Sequence, residues 1–200
     1  MRLHINKFPV YAFLTYLRRF CAFNTLDHSI LLTHLSTWFG ISSISFSWFH
    51  SYLSSRSLSV SIGETLSNIT ISFGVPQGSV LGPILFNLYT TPLSTLIANT
   101  SLSHHLYADD TQPFTSFVPK DFPLVINQLQ SSFSTISSWK TANLLTLNPS
   151  NNEFMVIGLP QQLSKIHTTS PSLSPAQPIL PCSSAHNLGF VFDPSLSFSQ

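Results

Sequence analysis

Apolar residues change period several times along the chain, and each change marks an element. From Asp27 to Gly40, Ile30, Leu31, Leu35 and Trp38 recur at helical spacing. Asp27 or Ser29 can cap that helix and Gly40 can stop it. A second helix follows over Ser45 to Leu53, carrying Phe46, Phe49, Tyr52 and Leu53. From Ser57 the period falls to two. Leu58, Val60 and Ile62 alternate with serine, Gly63-Glu64 supplies a turn, and Leu66, Ile69, Ile71 and Phe73 lead into a return strand, which together predict a β-hairpin. The segment Gly74 to Pro83 is dense in glycine and proline. Pro83 then suits the first turn of a helix striped by Ile84, Leu85, Leu88, Leu93 and Leu96, with Pro92 inside it.

Leu102 to Tyr107 reads as a strand, Ala108-Asp109-Asp110 as a tight turn, and Thr111 to Val118 as a return strand interrupted by Pro113. A helix over Phe122 to Trp139 carries Leu124, Ile126, Leu129, Phe133 and Ile136 on its apolar stripe. Leu144 to Leu147 and Phe154 to Ile157 predict short strands around an Asn-Pro-Ser-Asn turn. Residues 159–184, rich in Pro, Ser and Gln, predict a loose linker, and Leu188 to Phe192 a last strand. Helices interleaved with hairpins predict an α+β fold, an antiparallel sheet bearing helices on one face.

Composition narrows the function. Of 200 residues only 8% are charged, with 8 Lys+Arg against 7 Asp+Glu. An ordinary soluble domain carries about 25%. Serine, at about one position in six, takes the missing places. The apolar fraction of 43% and the 17 phenylalanines are enough for a core, which excludes disorder of the low-hydrophobicity kind. A net charge of +1 argues against a strong electrostatic grip on nucleic acid, because that affinity comes from Lys and Arg neutralising phosphates. Cys21 and Cys182 stand far apart without metal-ligand spacing and are expected as free thiols in a reducing compartment. The apolar run Phe8 to Leu17 is short, holds Pro9 and ends in Arg18-Arg19, so a signal peptide is not expected. No uninterrupted apolar stretch reaches the ~20 residues of a membrane span. The expected setting is intracellular, with no membrane partner.

Asp109 and Asp110 form the one adjacent pair among the seven acids. Delivered by an apolar strand into a turn, two like charges invite a divalent cation, and hard oxygen ligands suit Mg²⁺ bound together with substrate phosphates. A solvated surface turn is the alternative. The Gly74 to Pro83 segment reads equally as a tight helix entry or as a backbone that lets a ligand approach closely, with Gln77 able to hydrogen-bond a base or sugar. A metal phosphohydrolase would need further ligands, and the nearby His104 and His105 point to opposite faces of one strand.

Read together, the two segments resemble a known family. Phe73-Gly74-Val75-Pro76-Gln77-Gly78-Ser79-Val80-Leu81-Gly82-Pro83-Ile84-Leu85-Phe86-Asn87, followed by Tyr107-Ala108-Asp109-Asp110, is similar to the reverse transcriptase (RNA-directed DNA polymerase) of non-LTR retrotransposons, the long interspersed elements. Ala22 to Leu31, Leu144 to Ser150 and Asn187 to Asp193 resemble further stretches of that family. The resemblance implies a palm-like antiparallel sheet with helices packed on one face, fingers and thumb largely missing. It divides the chain into an unmatched segment 1–19, a partial palm 20–158, the linker 159–184, and a truncated terminal strand 185–200 like the primer-grip region.

The family extends a DNA primer on an RNA template from a deoxynucleoside triphosphate, using two Mg²⁺ ions. By resemblance, Asp109 and Asp110 are the catalytic and metal-binding pair. Phe23, Gln77 and Gly78 contact the nucleotide, and Leu188 and Gly189 the primer. Two positions depart from the pattern. The family's upstream metal-binding Asp, five residues before the gate aromatic Phe23, is Arg18 here, and a Lys of the family is Asn151. A guanidinium in place of a carboxylate repels the metals, so the resemblance implies a partial, degenerate copy defective in catalysis. The alternative is a non-catalytic fragment that binds nucleic acid or another partner.

Overall fold

The computed structural model describes residues 10–15, 24–76, 78–107, 110–145, 152–166, 180–187 and 190–195. The chain divides into two units. One draws on residues 1–19, 94–139 and 147–200, the other on 20–93 and 140–146.

In the first unit, β1 (Val10–Thr15), β4 (Ser103–Tyr107), β5 (Asp110–Phe117) and β6 (Glu153–Ile157) form an antiparallel sheet in the order β4-β5-β1-β6. The N-terminal segment outside the resemblance thus supplies an inner strand. β1 pairs Val10 with Phe117 and Phe13 with Phe114 on one side, and Tyr11 with Ile157 on the other. β5 is continuous, where the sequence predicts an interruption at Pro113. The β1 ladder covers only Phe114 to Phe117, so Pro113 lies outside it and keeps its place opposite His104 on β4.

Pro119 to Asp121 form a single 3₁₀ turn, and α4 (Phe122–Ala142) follows. Phe117 and Phe122 pack ring to ring with centroids 5.6 Å apart, seating the start of α4 against the end of β5. The face of α4 that enters the core is Phe122, Val125, Ile126, Leu129, Ser132 and Ile136. Leu124, expected on that stripe, is 60% exposed, because Val125 one position on is the residue aligned with Leu129 and Ile136.

The segment expected as a linker begins with a short helix, α5 (Pro160–Leu163), and buries Ile166. At its other end Cys182 N–H donates to the Phe154 carbonyl at 2.7 Å. Burial, then Glu153, pushes the Cys182 thiol up from its ordinary pKa. β7 (Ala185–Asn187) and β8 (Phe190–Phe192) form a small hairpin, and Ala185 joins Met155 and Ile157 in a buried cluster.

The second unit holds α1 (His28–Thr37), α2 (Ser43–Leu53), the hairpin β2 (Arg56–Ile62) and β3 (Thr65–Ile71), and most of α3 (Gly82–Ala98). Asp27 caps α1, its carboxylate accepting from Ile30 N–H at 2.9 Å. Leu26, Leu31, Leu35, Leu53, Leu85, Phe86, Tyr89 and Leu93 are buried. Trp38 and Ile84, expected on apolar stripes, are half exposed, while His34 and Tyr89 occupy the buried face with rings 5.5 Å apart. His34 Nδ1 donates to the Tyr89 carbonyl at 3.0 Å and Tyr89 Oη donates to the Asn143 carbonyl at 2.6 Å, so both polar atoms are satisfied and the rings can enter the core. Leu144, expected in a strand, is instead a turn residue at φ +52° after α4. Residues 146 and 147 of that expected strand lie outside the described residues.

Serine and threonine, unusually abundant here, are accommodated within helices by bonding back to the preceding turn. Thr33 donates to the Ser29 carbonyl, Thr90 to Phe86, and Thr91 to Asn87, the last two just before Pro92, which itself has no N–H to give.

Candidate active site

β4 and β5 pair antiparallel, Tyr107 standing opposite Asp110 at the end of the ladder. Asp109 itself lies outside the described residues. Asp110 opens β5 and is 4% exposed, followed by the buried Thr111 and Gln112. A solvated surface turn would leave this carboxylate in water, so that alternative does not hold for Asp110. A carboxylate enters so dry a position only where neighbouring groups or an ion stabilise its charge. His104 and His105 behave as strand alternation requires. His104 Nε2 lies 2.7 Å from Ser94 Oγ, while His105 stacks on Phe114 at 5.1 Å. Burial, then the charge of His105, lowers the His104 pKa.

The glycine-rich loop is built against the start of α1. Gly74 N–H donates to the Leu26 carbonyl at 2.7 Å, His28 N–H donates to the Ser72 carbonyl, and Phe73 bridges to Asp27. The buried His28 completes this seam by donating from Nε2 to the Gly74 carbonyl at 2.7 Å. Gly74 has φ +77°, and a Cβ on it would stand 2.9 Å from the backbone of Asn24. Only glycine fits there. Gly78 is also left-handed, at φ +82°, but a Cβ on it would meet nothing within 4 Å, so its backbone is open to an approaching ligand. Ser79 Oγ, next in the loop, lies 3.0 Å from Tyr52 Oη of α2.

The reverse transcriptase (RNA-dependent DNA polymerase) family model matches residues 15–192. The chain belongs to that family. Reverse transcriptase resemblance extends to a curated relative, the RNA-directed DNA polymerase from mobile element jockey of Drosophila melanogaster. It is 33% identical over a 95-residue match that covers 44% of this chain and 10% of that protein. The chain therefore spans a small part of this relative's length. Among solved structures, apo telomerase from Candida tropicalis, truncated from its C-terminal domain, matches at a TM-score of 0.66 and 14% identity. That match covers 98% of this chain and 36% of the other. At that identity the likeness shows the fold alone, and it bears out the α+β, palm-like reading. The resemblance to non-LTR retrotransposon reverse transcriptases is borne out by the family match and the jockey relative together.

Of the residues singled out from the sequence, Asp110 and Gly78 are described, one in each unit. Phe23, Gln77, Asp109, Leu188 and Gly189 lie outside the described residues, as do Arg18, Asn151 and Cys21. Among the described residues no three of His, Cys, Asp and Glu come together as a metal site. Sequence reading passed over His28, the side chain that locks the glycine loop. Its signal was faint, since a histidine one place after a helix cap reads as surface.

Proposed function

We propose that this chain is the palm portion of a retrotransposon reverse transcriptase whose ancestral activity, RNA-templated DNA synthesis, is defective here. The observation that carries the reading is the family match over residues 15–192, which spans the hairpin presenting Asp110. Asp109 and Asp110 would hold Mg²⁺. When bound, the ion supplies charge neutralisation at the transferring phosphate and acidifies the attacking primer hydroxyl. The open backbone at Gly78, with Gln77 and Phe23, would contact the incoming deoxynucleoside triphosphate. Leu188 and Gly189 would hold the primer. The buried Asp110 would keep its carboxylate fixed at the head of β5, ready to ligate without reordering.

The defect lies at Arg18. By the resemblance this guanidinium stands where the family's third carboxylate belongs, and its charge would oppose the cations that the Asp pair would attract. Primer extension on an RNA template with Mg²⁺ or Mn²⁺ tests the proposal. The natural chain should give no product beyond that of the Asp109→Ala chain, and Arg18→Asp should raise extension at least about tenfold. Robust template-dependent synthesis by the natural chain, abolished by Asp109→Ala, would overturn the defective reading while leaving the polymerase reading intact. A fragment that binds without turnover is the second reading, favoured by the open loop at Gly78.

A further inference from the structure

The second unit carries an aromatic cluster outside every residue assigned above. Trp48, Tyr52 and Arg56 recur every four residues along the end of α2 and the start of β2. The Trp48 and Tyr52 rings are stacked, 11° from parallel with centroids 5.5 Å apart. Arg56 lays its guanidinium over the Tyr52 ring, Cζ 4.7 Å from the centroid. Phe49 meets Trp48 nearly perpendicularly at 5.1 Å. Ser55, at φ +56°, lies in the short turn between the end of α2 and Arg56, the first residue of β2.

A tryptophan held this firmly by its neighbours would ordinarily be buried, yet Trp48 is 52% exposed. We propose that Trp48, backed by Tyr52 and Arg56, is a stacking platform for an unpaired base of single-stranded nucleic acid, with Arg56 beside it for the phosphate. This rests on the nucleic-acid reading above and adds a contact distinct from the nucleotide site. A preordered, half-exposed indole offers a π-face to any base at low entropic cost, and a guanidinium in the same cluster supplies the charge that such binding requires. No acidic residue occurs between Ser43 and Ile62 to repel a backbone. The Tyr52 Oη–Ser79 Oγ contact ties the platform to the loop that holds Gly78, so a strand lying on Trp48 passes beside the open backbone of that loop. An apolar protein partner would gain nothing from Arg56, whereas a nucleic acid uses both halves of the cluster.

The test is binding of fluorescein-labelled 12-mer single-stranded RNA and DNA to the full chain at low salt, followed by anisotropy. Trp48→Ala should weaken binding roughly 5- to 100-fold, the range for losing one base–aromatic stack. Trp48→Phe should retain most of the affinity, and Trp38→Ala, an exposed tryptophan elsewhere in the unit, should leave it unchanged. Arg56→Gln should lower the dependence of log affinity on log salt by about 0.7, one phosphate's share for a single strand. With the unaltered chain, photocrosslinking of a 5-iodouracil oligonucleotide should map to Trp48, which keeps the test independent of how the variants fold. Equal binding by Trp48→Ala with crosslinks elsewhere would overturn the platform and leave the polymerase reading standing. Absence of binding by the natural chain to either oligonucleotide would overturn the platform and, with it, the reading of a fragment that binds without turnover.

Discussion

Gly74 shows how one missing atom fixes the loop. Its left-handed backbone and the Asn24 main chain 2.9 Å from any Cβ penalise every side chain. Gly74→Ala combines the left-handed cost with overpacking and should destabilise the chain by roughly 2–4 kcal/mol in chemical denaturation. Gly78→Ala, in open space, should cost less than half as much. His34 carries a pH dependence. Burial lowers its pKa from the ordinary 6.5, against the opposing hydrogen bonds to the Tyr89 backbone and the Asn143 side chain. The unfolded chain therefore takes up a proton that the folded chain refuses, so stability falls as pH drops through 6.5 toward the folded value and levels off below it. Melting temperature measured from pH 8 to pH 5 should decline more steeply for the natural chain than for His34→Gln. Equal slopes would show that other groups govern the acid limb, His104 in the first unit being the next to substitute.

At the scale of elements, periodicity located helices and strands well and their faces less well. α4 makes the point in a single pair of residues five positions apart. Leu129 is fully buried and Leu124 is exposed, although both fit an apolar stripe in the sequence. Leu129→Ala should cost about 2–5 kcal/mol as a cavity forms, and Leu124→Ala should stay within about 0.5 kcal/mol, both read from denaturant midpoints. Comparable losses would mean that α4 turns Leu124 toward the core as well. The hairpin β2–β3 was legible from its alternation and its Gly63-Glu64 turn. What alternation did not reveal is that both of its faces remain largely exposed, including Leu58, Val60, Ile62 and Ile69. Cross-strand pairing puts Leu58 opposite Ile69, so apolar residues gather on one face and Ser57, Ser59 and Asn68 on the other.

For the whole molecule, that uncovered apolar face meets a net charge of only +1. Little electrostatic repulsion keeps copies apart, and the hairpin's strand edges lack the lysines and prolines that usually blunt them. Ile62→Lys, at a side chain 77% exposed, should reduce light scattering at high protein concentration and leave the melting temperature within a degree or two. An unchanged scattering profile would remove the hairpin as the source of association. The family was legible in the sequence alone, because the Gly74 to Asn87 stretch and Tyr107-Ala108-Asp109-Asp110, which carry the resemblance, are contiguous. Most element positions were legible there too, since hydrophobic period is a local signal. It took the folded chain to show that β1, which carries none of the family's motifs, lies inside the sheet, and that Pro113 is tolerated in a paired strand. The same holds for His28 clasping Gly74 across 46 positions, and for Asp110 being carried out of water. Each of these depends on which distant backbone lies alongside, and no window of neighbouring residues contains that information.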